Sequence, residues 1–343
     1  MTTPLDEPRP ARRRRLWQLA LCASVAVALG KNACIHSFCS PERNAALGPP
    51  VLASGDEDLD GLADAEENTL ARRFAPIVVL DERDIHRPAS IGWLLAKADI
   101  FRDRPRAVLA GSAEIARDTP SLPHSVHTGS ENPRDWTTYV HVYPRPDGGI
   151  NLQYWFFYPY SNGPLFFDHD SDWEHLTIVL DSLGTPLGAH LAQHENDHPG
   201  RFHEWSQLRS FQGQPVVFSA RGTHATYARP EDTAWYEDEP ACKDPAACPL
   251  SLWKSWEGGG LENLGERGRP LRVNRALSFS ARWGGTGLVP GTSAPYGPLF
   301  HRGFCVDGVW SCLDEVGAHF GRFAGTSGML TSSAADTTNH SAP

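Results

Sequence analysis

The chain reads as an all-β protein: an antiparallel β-sandwich, jelly-roll-like, with long loops and a short N-terminal calcium-loop/helix element. Three observations carry that reading. Short apolar or aromatic runs recur between turn-forming clusters, at 77–80, 138–143, 152–160, 176–180 and 215–219. Glycine and proline, 31 and 28 of 343 residues, supply the turns between them. Eleven tryptophans suit strand faces that pack flat.

In chain order, Arg12-Arg13-Arg14-Arg15 followed by the apolar stretch 16–30 has the form of a secretory signal over 1–33, or of an N-terminal anchor if uncleaved. The stretch is short for a bilayer span. A twin-arginine route and lipidation at Cys34 both fit the flanking residues poorly. The expected location is secreted or cell-envelope. Six cysteines beyond residue 33 form close pairs, Cys34 with Cys39, Cys242 with Cys248 and Cys305 with Cys312, a disulfide pattern for an exported chain. Residues 34–55 read as a linker, 56–74 as a calcium-binding loop and helix, and 75–323 as the sandwich with a loop-rich insertion near 229–275. The Ser/Thr/Ala/Gly-rich stretch 324–343 reads as a disordered tail. The helix is placed at Asp64 to Phe74, just ahead of Pro76. A net charge of -10 argues against nucleic acid and against nonspecific attraction to anionic membranes.

Residues 56–67 match the twelve-residue calcium loop throughout. Asp56, Asp58 and Asp60 offer side-chain oxygens, Gly61 the sharp turn and Leu62 a backbone carbonyl. Asp64 reaches the ion directly or through water, and Glu67 closes the set in bidentate fashion. Pro49-Pro50 and Gly55 leave no room for an incoming helix, so this is a half-site with only the exiting helix. Its expected role is structural.

A second cluster, His169, Asp172 and Glu174, follows the aromatic run 152–160. Strand alternation puts Asp172 and Glu174 on the face of Leu176, Ile178 and Leu180, with Trp173 and His175 on the other. Carboxylates in a core-facing row need ionic partners or a metal. The mixed donors suit a second divalent metal, Mg, Ca, Mn or Zn. Asp168, Asp170 and His175 are further ligands, supports or an acidic rim. The bland alternative is a hydrogen-bonded network pinning two loops. His194-Glu195-Asn196-Asp197-His198 is a literal His-Glu-x-x-His, but its turn formers oppose the helix that zinc protease chemistry requires. His194 and His224 are the acid/base candidates. No nucleophile elbow and no phosphate-binding glycine loop is present.

Over roughly 70–310 the chain resembles the vacuolar protein sorting-associated protein 62 family. The residues that carry this are Ala75-Pro76-Ile77-Val78, Pro88 through Trp93, Gln153 through Tyr160, Asp172-Trp173-Glu174-His175, Gln193-His194, Pro215-Val216-Val217, Gly222-Thr223-His224-Ala225 and Arg282-Trp283-Gly284. A more distant resemblance, through His169, Asp172, Trp173 and Glu174, is to the necrosis- and ethylene-inducing peptide-like toxins. It implies a β-sandwich with a divalent metal at these positions, used at a glycosphingolipid-binding surface. The chain departs from that pattern at Ser161, where a further metal-binding Asp would stand, and at Asp168.

Three functions follow. The first is an exported metal-binding sandwich that recognises a glycan or lipid head group at His169, Asp172 and Glu174, with peripheral membrane contact in the lipid case. The second is a metal-dependent hydrolase using His194 or His224. The third is a structural cell-surface protein. The flanking Tyr158, Tyr160, Phe166 and Phe167 suit the first and suit a core equally well.

Overall fold

Apolar runs bounded by turns become strands of two sheets in the computed structural model. The structure describes residues 55–98, 121–164, 166–193, 200–235, 250–266, 269–271, 277–279, 281–289, 291–301 and 303–304. The signal, the tail, all six paired cysteines and His194 lie outside them. The described residues fall within one compact unit, 50–343.

Helix α1 (Asp64–Phe74) occupies the span expected of it, with acidic residues in its first turn and Arg72 and Arg73 in its last. That charge order complements the helix dipole. It leads into β1 (Ile77–Asp81), and a short helix α2 (Ile91–Lys97) follows, capped by Ser90 accepting from the Trp93 amide at 3.0 Å. The next strands are β2 (Thr137–Pro144), β3 (Ile150–Ser161), β4 (His169–Leu180), β5 (Pro186–Leu191) and β6 (Arg201–Glu204). These five run as an antiparallel meander. Then come β7 (Arg209–Phe211), β8 (Gln214–Ser219), β9 (Thr226–Tyr227), β10 (Leu250–Lys254) and β11 (Gly260–Asn263). A small hairpin, β12 (Gly265–Glu266) with β13 (Arg269–Pro270), follows directly.

One sheet has the order β10-β1-β8-β7 with β9 beside β8, and the other β11-β2-β3-β4-β5-β6. The pairing is mixed, because β1–β8 and β2–β11 are parallel. Both need long crossovers that period-2 patterning alone does not reveal. The stretch 229–275, read from sequence as a loop-rich insertion, supplies β10 to one sheet and β11 to the other.

The main core lies between the sheets. Val78, Leu80, Val217 and Trp253 of the smaller sheet meet Val140, Leu152, Tyr154, Phe156, Leu176 and Ile178 of the larger. The other face of the large sheet is buried too. Tyr139, Trp155, Phe157 and Trp173 are covered by Ile91 and Leu94 of α2 and by irregular chain bearing Leu122, Leu277, Phe279, Trp283 and Phe304. A sheet covered on both sides needs apolar residues at nearly every position, which is why 152–158 is an unbroken apolar run around Gln153. Among the described residues, no helix is long and apolar enough to cross a membrane.

Candidate functional site

The N-terminal half of β4 positions the central cluster. β3 pairs with β4 along its length, from Ile150 with Leu180 to Ser161 with His169. β5 pairs only with Leu176 to Leu180 of it. The strand alternation expected at 172–175 thus lies within a strand that begins at His169, paired with β3 throughout and joined on its other side by the Ala192 amide on the His175 carbonyl at 3.2 Å. A cavity of about 370 Å³ opens beside this half of β4, lined by His169, Asp172, Glu174 and His175 together with Phe167, Gln193, Thr223 and His301.

The alternation expected from sequence holds. Asp172 and Glu174 sit opposite Tyr158 and Phe156, on the inter-sheet face, while His175 packs on the other face against Trp155 at 4.2 Å between ring centroids. Asp172 does not stand alone. Its Oδ2 lies 3.0 Å from Nδ1 of His224, whose ring stacks on Tyr158 at 3.8 Å and 7°. The other nitrogen of His224 is 3.5 Å from Asp84 Oδ2. Asp84 is fixed by the Gly222 amide at 2.8 Å and the His86 amide at 2.8 Å. The clamp rests on a tight 220–225 turn. His224 is left-handed at φ 57°, and so is Gly222 at φ 83°, where a Cβ would lie 2.8 Å from the Asn162 carbonyl oxygen. A left-handed histidine is uncommon and is held there by its surroundings. Glu174, buried and beside the charge of Asp172, has its carboxyl held well above the usual range.

His169 and its strand neighbours are engaged locally. Nδ1 of His169 lies 2.7 Å from the Ser171 carbonyl oxygen, which assigns Nδ1 as the donor. Ser171 is itself left-handed, at φ 56°. Asp170 is spent on structure: it binds His127 Nε2 at 3.1 Å and accepts from the Leu122 and Gly285 amides at 2.9 and 3.0 Å. His169, Asp172 and Glu174 thus line one cavity without converging on one point. Among the described residues, triads of His, Cys, Asp or Glu with ligand atoms within 4.8 Å of one another occur only in the 56–67 loop.

That loop has the geometry of a cation site. Asp56, Asp58 and Asp64 form one triad, and Asp58, Asp60 and Glu67 another. Asp56 caps the turn, accepting from the Leu59 and Gly61 amides at 2.6 and 3.1 Å. Gly61 takes φ 98°, as the motif requires. Asp58 and Glu67 are buried at 1% and 0% exposure. Both oxygens of Asp58, one of Asp60 and one of Glu67 have no hydrogen-bond partner. Burial and mutual repulsion raise Asp58 to about 7, Asp60 to about 6 and Glu67 to about 9. Orphaned carboxylate oxygens at such depth fit a hard cation, and Asp56, Asp58, Asp60, Asp64 and Glu67 are the side chains that would hold calcium.

Sequence reading missed Asp84, His86, His127 and His301. None carries a spacing signal, since each reaches the site through tertiary contact.

No family model matches the chain. Two proteins of Saccharomyces cerevisiae are similar to part of it. The vacuolar protein sorting-associated protein TDA6 is 30% identical over 108 residues, 25% of this chain and 23% of that protein. Vacuolar protein sorting-associated protein 62 is 30% identical over 104 residues, 25% and 22%. The chain thus spans under a quarter of the length of these relatives. Among solved structures, NLPPya in complex with glucosamine aligns at 13% identity and TM-score 0.36, covering 66% of this chain and 86% of that one. The non-toxic HaNLP3 protein aligns at 13% and 0.34, covering 71% and 91%. Necrosis and Ethylene inducing Protein 2, from the causal agent of cocoa's Witches Broom disease, aligns at 16% and 0.30, covering 56% and 74%. The chain is therefore similar, over a quarter of its length, to the vacuolar protein sorting-associated protein 62 group, and its structural neighbours are toxin-fold β-sandwiches.

Proposed function

We propose that this protein is exported and binds a glycan, free or carried by a lipid head group, in the cavity beside the N-terminal half of β4, with calcium in the 56–67 loop as a structural ion. The observation that carries the reading is the make-up of the cavity wall. Phe167 offers a ring, and His169, Asp172, Glu174, Gln193 and Thr223 offer hydrogen-bonding groups around the same space. A pyranose has a C–H face that stacks on a ring and a rim of hydroxyls that needs donors and acceptors, so it suits such a wall. Two adjacent carboxyls bias the site toward an amino sugar, whose ammonium they would pair. A second divalent metal at His169, Asp172 and Glu174 would take Nε2 of His169 while Nδ1 keeps the Ser171 carbonyl, and would require the three side chains to draw together. For a lipid-borne head group, the exposed Phe166 and Leu288 would meet the membrane interface. Their loops are neighbours, since a Cβ at Gly291 would lie 3.4 Å from Phe167.

The hydrolase reading is weaker on one observation. His224 is 1% exposed and faces two carboxylates, so it supports Asp172 rather than meeting a substrate. The test is calorimetric titration with glucosamine and glucose, and sedimentation with vesicles carrying a neutral glycolipid. Saturable binding is expected, weakened about tenfold, ~1.4 kcal/mol, by Phe167→Ala and by His169→Ala. Absence of binding to sugars and vesicles alike, or binding indifferent to both changes, would overturn the proposal.

A further inference from the structure

We propose that the ion of the 56–67 loop is a clasp between helix α1 and the edge strand β11, with Asn263 as the residue that positions Glu67 for it. The inference rests on the calcium reading of the loop and goes beyond it, since it assigns a role to residues nearly two hundred positions away.

Asn263 is 5% exposed and its amide has two fixed partners. Nδ2 donates to Glu67 Oε2 at 2.8 Å, and Oδ1 accepts from the Gly265 amide at 3.1 Å. The two bonds together assign the orientation of the amide. Glu67, fully buried, is thereby held through one oxygen and keeps Oε1 without a partner, and its carboxylate has an oxygen within 4.8 Å of ligand atoms of Asp58 and Asp60. Asp58 adds two more buried oxygens with no partner. Two buried carboxylates thus aim vacant oxygens into one space, and one of them is oriented from another element. Hydrogen bonds that orient metal ligands are worth about 10–100-fold in affinity.

The same segment adds charge. Glu266, three residues on, is held by His141 Nε2 at 2.7 Å, and its field reaches Asp58 and Asp60. β11 is anchored in turn by its parallel pairing with β2 and by the Leu264 amide on the Val140 carbonyl at 2.7 Å. Without an ion, Asp58, Asp60 and Glu67 crowd together beside Glu266 where α1 meets the 263–266 segment, and holding protons is what relieves the crowding. With one, the contact becomes attractive.

The test uses the full chain. Hydrogen exchange read by mass spectrometry, with and without calcium, is expected to slow at 260–266 together with 56–74. Calorimetry is expected to show Asn263→Leu weakening calcium about tenfold. Terbium emission lifetime in that variant is expected to report one additional coordinated water, the mark of a Glu67 no longer held for bidentate binding. Glu266→Gln should weaken calcium several-fold at low salt and less at high salt. Calcium bound tightly by wild type and Asn263→Leu alike, with exchange slowed only at 56–74, would overturn the clasp and leave the calcium loop standing. No calcium binding at all would overturn both.

Discussion

The calcium proposed for the 56–67 loop would displace protons on binding, and the number can be worked out. Glu67 is raised to about 9, Asp58 to about 7 and Asp60 to about 6. The ion-free loop therefore retains roughly one proton near pH 7.5, mostly on Glu67, and about two near pH 6. Each displaced proton lowers calcium affinity about tenfold per pH unit of acidification, so affinity should fall by between about two and three orders of magnitude from about pH 7.5 to about pH 6. Calorimetry in two buffers of different ionisation enthalpy reads the proton count directly, and repeating the titration at the lower pH reads the slope. Heats that do not depend on the buffer, with affinity flat across that range, would refute the reasoning, because the carboxylates would then be ionised before the ion arrives.

The same groups set a pH dependence on the ion-free fold. Their folded values exceed the ordinary carboxylate range, so the folded state binds protons that the unfolded chain releases. Stability without calcium should fall as pH rises from about 4 to about 9, and calcium at about a hundred times its Kd should restore ~2.7 kcal/mol, read by thermal denaturation. Trp155→Ala, at a fully buried position between β3 and its irregular cover, should cost about 3–5 kcal/mol in urea unfolding. His224→Ala leaves Asp172 and Asp84 buried without their shared partner and should cost about 3–5 kcal/mol by the same measurement. Gly222→Ala places a methyl 2.8 Å from the Asn162 carbonyl at a left-handed φ and should cost about 1–3 kcal/mol, with the 220–225 turn showing faster hydrogen exchange.

Where the sequence is legible, a local rule applies. Helix α1 is legible to the residue because the calcium motif sets its start and Pro76 its end. The alternation along 172–180 is legible because period 2 is strict wherever both faces are packed. The 229–275 stretch reads as loop because β10 and β11 are short and only half-buried, and their partners β1 and β2 lie over a hundred residues away. The partners of the central cluster are illegible for a similar reason. Asp84 reaches His224 only once the 220–225 turn has closed on Asn162. Sequence places Asp172 and Glu174 on the right face but cannot count the protein groups that satisfy them there.

The doubly covered sheet has a consequence for the growing chain. Strands β3 and β4 are complete at Leu180, yet part of the layer over Trp155, Phe157 and Trp173 comes from Leu277, Phe279, Trp283 and Phe304. Some hundred residues of synthesis separate the two, roughly 5–20 s at ordinary elongation rates, with an aromatic face open meanwhile. A chain cut short before residue 277 would keep that face open for good. Such fragments are expected to aggregate or to be captured by chaperones, and dissection of this protein into a smaller soluble sandwich should fail from the C-terminal side.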